Sequence, residues 1–135
     1  MNKKLIIYTD GGARGNPGPA GIGAIAKNKK GDVVFEISEY IGETTNNQAE
    51  YKALVAAIVK AKEFSVEELD FYLDSELVVK QLKKEYKVKN KDLAPLFVVV
   101  YNASLGFKKV TYKYIPRELN KEADALANEA MDRGV

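Results

Sequence analysis

The order of strand and helix segments constrains the fold of this chain more than any other feature. Three strand-like segments fill the first 41 residues without an intervening helix, whereas each later strand segment follows a helical one. Strands joined by short turns pair antiparallel, and a strand entered through a helix pairs parallel to an earlier one. The sequence therefore predicts an α/β fold with a mixed five-stranded sheet, three antiparallel strands followed by parallel additions, and helices on both faces. The predicted strands are 4–10, 20–28, 33–41, 68–74 and 108–117, and the predicted helices are 46–64, 75–86, 92–105 and 120–134.

Amino-acid usage narrows the chemistry that the chain can support. Its 135 residues suffice for one domain, 1–135, and they contain neither cysteine nor histidine. Disulfides, zinc sites and histidine-based triads are therefore excluded, and a bound metal must be a hard cation held by oxygen atoms. The start of the chain has the pattern of a strand and no cleavage site of a signal peptide, so we expect a cytoplasmic protein.

A lysine-rich stretch at 80–91 stands out from the rest of the charge distribution. It holds six lysines and one glutamate, in a chain whose net charge is only +2. Such a run is either a solvated helix end or a patch that binds phosphate backbones.

Two predicted strands end at an aspartate. Asp10 follows an apolar strand and precedes a glycine-rich stretch, and Asp74 ends the strand FYLD in the same way. A single aspartate at such a position usually forms a turn. Two at the carboxyl ends of neighbouring parallel strands favour a functional site, because open α/β sheets hold their sites there.

Glu50 and Asp124 extend this candidate cluster. Glu50 shares the apolar stripe of its predicted helix with Leu54 and Ile58, and a carboxylate facing the core is costly unless it is paired or coordinated. For Glu50 the alternative is an interaction with the helix N-terminus, and for Asp124 it is a solvated charge beside the apolar stripe. Converging carboxylates repel one another unless cations neutralise them, and two Mg²⁺ ions about 4 Å apart can activate a water for phosphodiester cleavage.

Four stretches of the sequence together identify a family. They are YTDGGARGNPGPAGIGAI, TTNNQAEYKALVAAI, YLDSELVVKQL and IPRELNKEADALANEA, in this order. Through them the chain resembles type 1 ribonuclease H along nearly its whole length. The resemblance implies a ribonuclease H-like fold and a catalytic, metal-binding quartet of Asp10, Glu50, Asp74 and Asp124. It also implies hydrolysis of the RNA strand of RNA–DNA hybrids with two Mg²⁺ ions per site, or Mn²⁺ as a substitute, leaving 5′-phosphate and 3′-hydroxyl ends.

The resemblance further implies a set of substrate-binding residues. Asn16, Asn46 and Asn47 match the residues that the family uses in the minor groove, and Thr45 is expected to hold a DNA-strand phosphate. Amide side chains both donate and accept hydrogen bonds, and the wide minor groove displays the 2′-hydroxyls of RNA. For Asn46 and Asn47 the alternative is helix capping, the role that we also predict for Asn120 before the last helix.

The sequence departs from the family pattern in the loop before Asp124. Many members carry a histidine there, whereas IPRELNKE has none, and its spacing is similar to that of compact archaeal-type members. Arg117 is the predicted substitute, steadying the scissile phosphate or assisting product release, with Glu118 as the alternative. Glu76 stands where relatives often have glutamine, which affects one expected base contact.

The expected partner is an RNA–DNA hybrid bound by a monomer. Two other readings are a broader activity that includes double-stranded RNA and a catalytically silent nucleic-acid-binding module on the same fold. A nucleotide-binding domain is disfavoured, because the loop GGARGNPGPAG lacks a following GK[ST] and leads into a strand.

Overall fold

The computed structural model describes residues 3–135, which form a single five-stranded sheet with helices packed against it. The strands are β1 (Lys4–Ala13), β2 (Gly18–Lys27), β3 (Val33–Thr44), β4 (Glu68–Leu73) and β5 (Lys109–Tyr114). The α-helices are α1 (Asn46–Ala61), α2 (Glu76–Leu82), α3 (Ala94–Ser104) and α4 (Lys121–Arg133). The sheet order is β3-β2-β1-β4-β5, with the first three strands antiparallel and the last two added parallel. The predicted fold is confirmed.

The central strand β1 continues beyond the point where the sequence predicted its end. Its parallel pairing with β4 stops at Tyr8 and Tyr72, but its antiparallel pairing with β2 continues through Asp10, opposite Gly23, to Ala13. The prediction that Asp10 ends the strand was therefore wrong, because β2 supplies hydrogen-bond partners for three further residues. Asp10 lies instead where β1 has lost its neighbour on one side only.

Other predicted boundaries also shift. The helix predicted to reach residue 86 ends at Leu82, because Lys84 adopts a left-handed φ of 66° that a helix cannot continue. The lysine-rich residues that follow are therefore largely a loop. The last strand ends at Tyr114, short of the predicted 117, since residues after Pro116 form a 3₁₀ turn. Within residues 3–135, no helix combines the length and apolarity needed to cross a membrane.

One face of the sheet carries the main hydrophobic core. Leu54 and Ile58 of α1 are fully buried in a cluster with Leu5 and Ile7 of β1 and Phe71 of β4. These side chains recur at helical spacing in α1 and at alternate positions in the strands, which is the pattern that buries one face of each element. Burial of this face fixes the position of α1 relative to β1.

Helix α4 packs on the opposite face by close contact between small residues. A Cβ atom on Gly23 would overlap the carbonyl oxygen of Ala123, and one on Gly21 would lie 2.6 Å from that of Ala127. The helix therefore approaches β2 more closely than any larger side chain would permit. Because Asp124 follows Ala123 directly, this contact also sets the distance of its carboxylate from the sheet.

Gly23→Ala should displace α4 and lower stability. The added methyl group has no room against the helix backbone, and overpacking of this kind costs about 1–3 kcal/mol. Urea denaturation measures the loss. Gly106→Ala is the matched control, because its Cβ would meet only ordinary contacts at 3.5 Å or more and should change stability by less than about 0.5 kcal/mol. Equal effects of the two substitutions would contradict the close-contact explanation.

Candidate active site

Three of the sequence-predicted carboxylates meet at one point of the structure. Asp10 in β1, Glu50 in α1 and Asp74 directly after β4 each offer an oxygen, and these oxygens all lie within 4.8 Å of one another. Asp10 and Glu50 are only 5% and 6% exposed. The inward orientation predicted for Glu50 from its helical stripe is confirmed.

Asp10 and Glu50 approach from opposite faces of the sheet. Gly23, opposite Asp10, faces α4, whereas Gly11, the next residue of β1, lies directly against the backbone of Ala49 in α1. Successive residues of a strand point to opposite faces, so the side chain of Asp10 lies on the α4 side. The two carboxylates can meet because β4 has already ended beside this part of β1. The backbone of Gly11 also lies close enough to lower the pKa of Glu50, against the larger effect of burial, which raises it.

Asp124 joins the trio from α4. Its side chain is half-buried, and its carboxyl lies close enough to Asp10 to raise the pKa of that residue through both a hydrogen bond and its charge. It is not one of the three residues whose oxygens are mutually within 4.8 Å. All four carboxylates line one cleft, so the structure brings together the whole predicted quartet.

Burial and mutual repulsion hold protons on this cluster. Burial is the largest cause that raises the pKa of Asp10 to about 8, followed by the charge of Asp74. Burial likewise raises the pKa of Glu50 well above its ordinary value, with further contributions from Asp10 and Asp74. Oε2 of Glu50 is buried and has no hydrogen-bond partner among the described residues.

This donor set fits a hard divalent cation. Closely spaced carboxylate oxygens are the ligands that Mg²⁺ and Mn²⁺ take in proteins, and a cation would provide the interaction that the Glu50 oxygen lacks. A bound cation would also favour the ionised form of each carboxylate. The residues present are therefore able to hold the metal that the sequence analysis expected.

Arg117 and two asparagines line the same cleft as the carboxylates. Arg117 belongs to the 3₁₀ turn before α4, and Asn46 and Asn47 begin α1. Asn46 Oδ1 accepts a 2.8 Å hydrogen bond from the Ala13 amide, and Asn16 Oδ1 accepts a 3.0 Å bond from the Asn46 amide. Hydrogen bonds thus join Asn16, Asn46 and β1, and these two residues together with the adjacent Asn47 are called the asparagine rim.

The cap of α1 is Thr45, and the capping alternative for the asparagines was wrong. Thr45 has an extended backbone, and its Oγ1 accepts a hydrogen bond from the Gln48 amide at 3.2 Å. A residue in this conformation is the one that can cap a helix, whereas Asn46 and Asn47 already lie within the first turn. Their side chains are thereby left for other contacts.

The two secondary glutamates lie away from the carboxylate cluster. Glu76 is exposed in the first turn of α2, where it lies 3.5 Å from Lys80. Glu118 is exposed and lines a separate depression beside Tyr8. The described residues give Glu118 no contact with the cleft that Arg117 lines.

Asn120 makes contacts that its position in the sequence does not reveal. It is the N-cap residue of α4, as predicted, but its side chain makes no capping hydrogen bond. It is instead 1% exposed, and Nδ2 donates to the Thr9 carbonyl oxygen at 2.9 Å and to Asp74 Oδ2 at 3.2 Å. An asparagine before a helix is typical of a cap, so nothing in the sequence distinguished this long-range contact.

Comparisons with known proteins assign the family. The reverse transcriptase-like family matches residues 8–130. Ribonuclease H of Prosthecochloris aestuarii is 34% identical in an alignment of 147 positions, gaps included, that covers 97% of both chains. This chain belongs to the ribonuclease H family. The membership predicted from the four sequence stretches is confirmed.

Two solved ribonuclease H structures show the same fold at higher identity. Ribonuclease H1 of the halophilic archaeon Halobacterium salinarum is 41% identical, with a TM-score of 0.93 over 96% of this chain and 98% of that one. LC11-RNase H1, solved in complex with an RNA/DNA hybrid, is 46% identical, with a TM-score of 0.92 over 96% and 97%.

Some relatives are considerably longer than this chain. The bifunctional protein Rv2228c of Mycobacterium tuberculosis is 42% identical, and the match covers 96% of this chain but 36% of the relative. The ribonuclease HI of Halobacterium salinarum is also 42% identical, and 65% of its length is covered. The shared part in each case contains the ribonuclease H fold.

The raised pKa of Asp10 predicts that the metal-free protein loses stability as pH rises. The unfolded chain releases this proton near pH 4, whereas the folded protein keeps it up to about pH 8. The associated stability is therefore fully present below about pH 4 and is lost as pH rises towards 8. Asparagine does not ionise, so Asp10→Asn removes the penalty of keeping residue 10 uncharged in the folded protein at a pH at which the unfolded chain would be ionised. In EDTA at pH 7.5 it should raise the free energy of unfolding by on the order of 2 kcal/mol.

Urea denaturation in EDTA at pH 4.5, 6.0 and 7.5 measures this effect. The difference between Asp10→Asn and the wild type should grow with pH. Asp92→Asn alters an exposed aspartate and should leave the stability almost unchanged at each pH. A gain from Asp10→Asn that is the same at all three pH values would contradict the prediction.

Proposed function

We propose that this chain is an endoribonuclease that hydrolyses the RNA strand of RNA–DNA hybrids, leaving 5′-phosphate and 3′-hydroxyl ends. Asp10, Glu50, Asp74 and Asp124 would hold two divalent cations, Mg²⁺ or Mn²⁺, at the scissile phosphate. The observation that carries the proposal is the convergence of buried carboxylates on one open cleft, in a chain of the ribonuclease H family. The hybrid bound to LC11-RNase H1 supports the substrate class.

The carboxylates supply the binding energy for the cations. When bound, the two cations lower the pKa of the attacking water and neutralise charge on the leaving 3′ oxygen. Asp10 lies between the others: Asp74 and Asp124 both act on its pKa, and Glu50 contacts it from the other face. Asp10 is therefore the residue on which we expect cation binding to depend most.

Arg117 is proposed to contact the scissile phosphate. Its exposed side chain lines the cleft, and a guanidinium group offers hydrogen-bond donors but no acceptor. It can therefore stabilise negative charge on phosphate oxygens or assist product release, but it cannot act as a general base. This role replaces the one that a histidine has in other members of the family.

Substrate discrimination is assigned to the asparagine rim. The side-chain oxygens of Asn16 and Asn46 already accept hydrogen bonds from backbone amides, which fixes their orientation. Each therefore presents its Nδ2 hydrogens as donors, which suit 2′-hydroxyl oxygens and base acceptors in the minor groove. Asn47 lies beside them in the first turn of α1, and we assign Thr45 a DNA-strand phosphate in addition to its capping role.

The first test measures cleavage of an end-labelled RNA–DNA hybrid. The wild type should cut the RNA strand in Mg²⁺ or Mn²⁺ and not in EDTA, and treatment of the products with phosphatase and ligase identifies their ends. Asp10→Asn should reduce the rate by at least about 10³-fold, since it removes a ligand shared by the whole cluster. An RNA–RNA duplex of the same sequence tests the broader substrate range.

Asp70→Asn is the matched control, because it neutralises a partly buried aspartate that has polar partners of its own. Asp70 is bonded to Lys4 at 2.7 Å and to the Thr111 hydroxyl at 2.7 Å, outside the cleft. Its replacement should lower stability while the cleavage rate stays within about threefold of the wild type. Undiminished cleavage by Asp10→Asn would exclude the proposed metal mechanism, and binding without any cleavage by the wild type would favour the silent-module alternative.

The lysine-rich loop is expected to add salt-dependent affinity for the hybrid. The segment that follows α2 exposes Lys84, Lys87 and Lys89. Helix α2 itself begins at the cleft, because its N-cap residue, Ser75, lines it. Each phosphate contact contributes up to about −0.9 to the slope of log K against log salt. Alanine at all three positions should weaken hybrid binding and reduce the slope by about 1–2.

Binding isotherms in EDTA at several salt concentrations measure this slope. Lys29→Ala with Lys30→Ala is the matched charge control, because these exposed lysines lie in the β2–β3 turn, whereas Lys84 lies beside β5 at the opposite edge of the sheet. The control should leave the slope within about 0.5 of the wild type. An unchanged slope in the triple variant would show that these lysines are solvated and do not contact the phosphates of the hybrid.

A further inference from the structure

Asn120 connects three of the four segments that carry the cluster carboxylates. Its Nδ2 donates to the carbonyl oxygen of Thr9, the residue before Asp10, and to Oδ2 of Asp74. The backbone carbonyl oxygen of Asn120 accepts a 3.1 Å hydrogen bond from the backbone amide of Asp124. Strand β1, the end of β4 and helix α4 are thus linked through one buried residue.

The position of these contacts explains why an amide is needed there. The residue pairs between β1 and β4 end at Tyr8 and Tyr72, so Thr9 lies immediately beyond their shared ladder. Asp74 has just left β4 and has no strand neighbour to fix it. An amide nitrogen carries two hydrogens and can donate to both acceptors at once, which a hydroxyl cannot.

We propose that Asn120 is a positioning residue that fixes the Asp74 carboxylate in the orientation required for divalent-cation binding. The inference rests on the proposed function, since it concerns the same site. Residues that hydrogen-bond to metal ligands orient them, and their replacement typically weakens metal affinity 10–100-fold. Asn120 is 1% exposed, so it acts through its hydrogen-bond partners, and Asp74 is the only carboxylate of the cluster to which its side chain bonds among the described residues.

A purely structural role is the competing explanation. Asn120 precedes α4, but its side chain makes no capping bond, so the start of the helix does not depend on its amide. Its Oδ1 is buried without a partner among the described residues, which is an energetic cost that the fold carries. Because Nδ2 also pairs with the Thr9 carbonyl oxygen, replacement of Asn120 is expected to lower stability as well, and the test has to separate the two effects.

The test measures binding of Mn²⁺ alone to the folded protein by calorimetry or electron paramagnetic resonance. Asn120→Ala should raise the Kd for Mn²⁺ about tenfold. Asn120→Leu keeps the side-chain volume without the donor and should have the same effect, so it replaces the alanine variant if that variant does not fold. In hybrid cleavage, the Mn²⁺ concentration for half-maximal rate should rise by the same factor, with most of the maximal rate recovered at saturation.

Two comparisons separate positioning from general destabilisation. Gln81→Ala removes another buried amide, one that is bonded to the Tyr51 hydroxyl, and should lower stability with a change in the Kd for Mn²⁺ of less than about twofold. In an Asp74→Ala background, Asn120→Ala should change the Kd by less than about twofold, since the ligand that it orients is absent. Similar effects of Asn120→Ala in both backgrounds would overturn the proposal.

An unchanged Kd in Asn120→Ala with reduced stability would also overturn it. Failure of the proposed function has a different signature. A wild type that binds Mn²⁺ but does not cleave the hybrid would refute the assigned reaction, while the Kd comparisons would still decide the role of Asn120.

Discussion

The repulsion among buried carboxylates is the interaction around which this structure is arranged. Asp10 and Glu50 approach from opposite faces of the sheet yet contact each other, because β1 extends several residues beyond its pairing with β4. In the absence of a cation their protons offset the repulsion, as the raised pKa of Asp10 reflects. The same cost that makes the cluster unfavourable alone gives a divalent cation its binding energy.

The two faces of the sheet contribute to this site in different ways. On one face a conventional apolar core holds α1, and with it Glu50, through large buried side chains such as Leu54 and Ile58. On the other, α4 is held at short range by contact with Gly21 and Gly23. The first arrangement tolerates repacking among apolar residues of similar size, whereas the second has no spare volume.

Much of this could be predicted from the sequence, and the failures share a cause. The order of segments gave the sheet topology, and the inward face of Glu50 followed from helical spacing. The continuation of β1 past Asp10 was missed because it depends on pairing with β2, which local composition does not encode. The side-chain contacts of Asn120 with Thr9 and Asp74 were missed for the same reason, since they join residues 111 and 46 positions apart.

The close contact between α4 and β2 limits the routes by which this protein can evolve greater heat resistance. Stability is often gained by filling space with larger apolar side chains. At Gly21 and Gly23 an added methyl group meets helix backbone, and movement of the helix carries Asp124 away from its neighbours. These two positions are therefore closed to space-filling substitutions, and greater stability on the α4 side has to come from other positions.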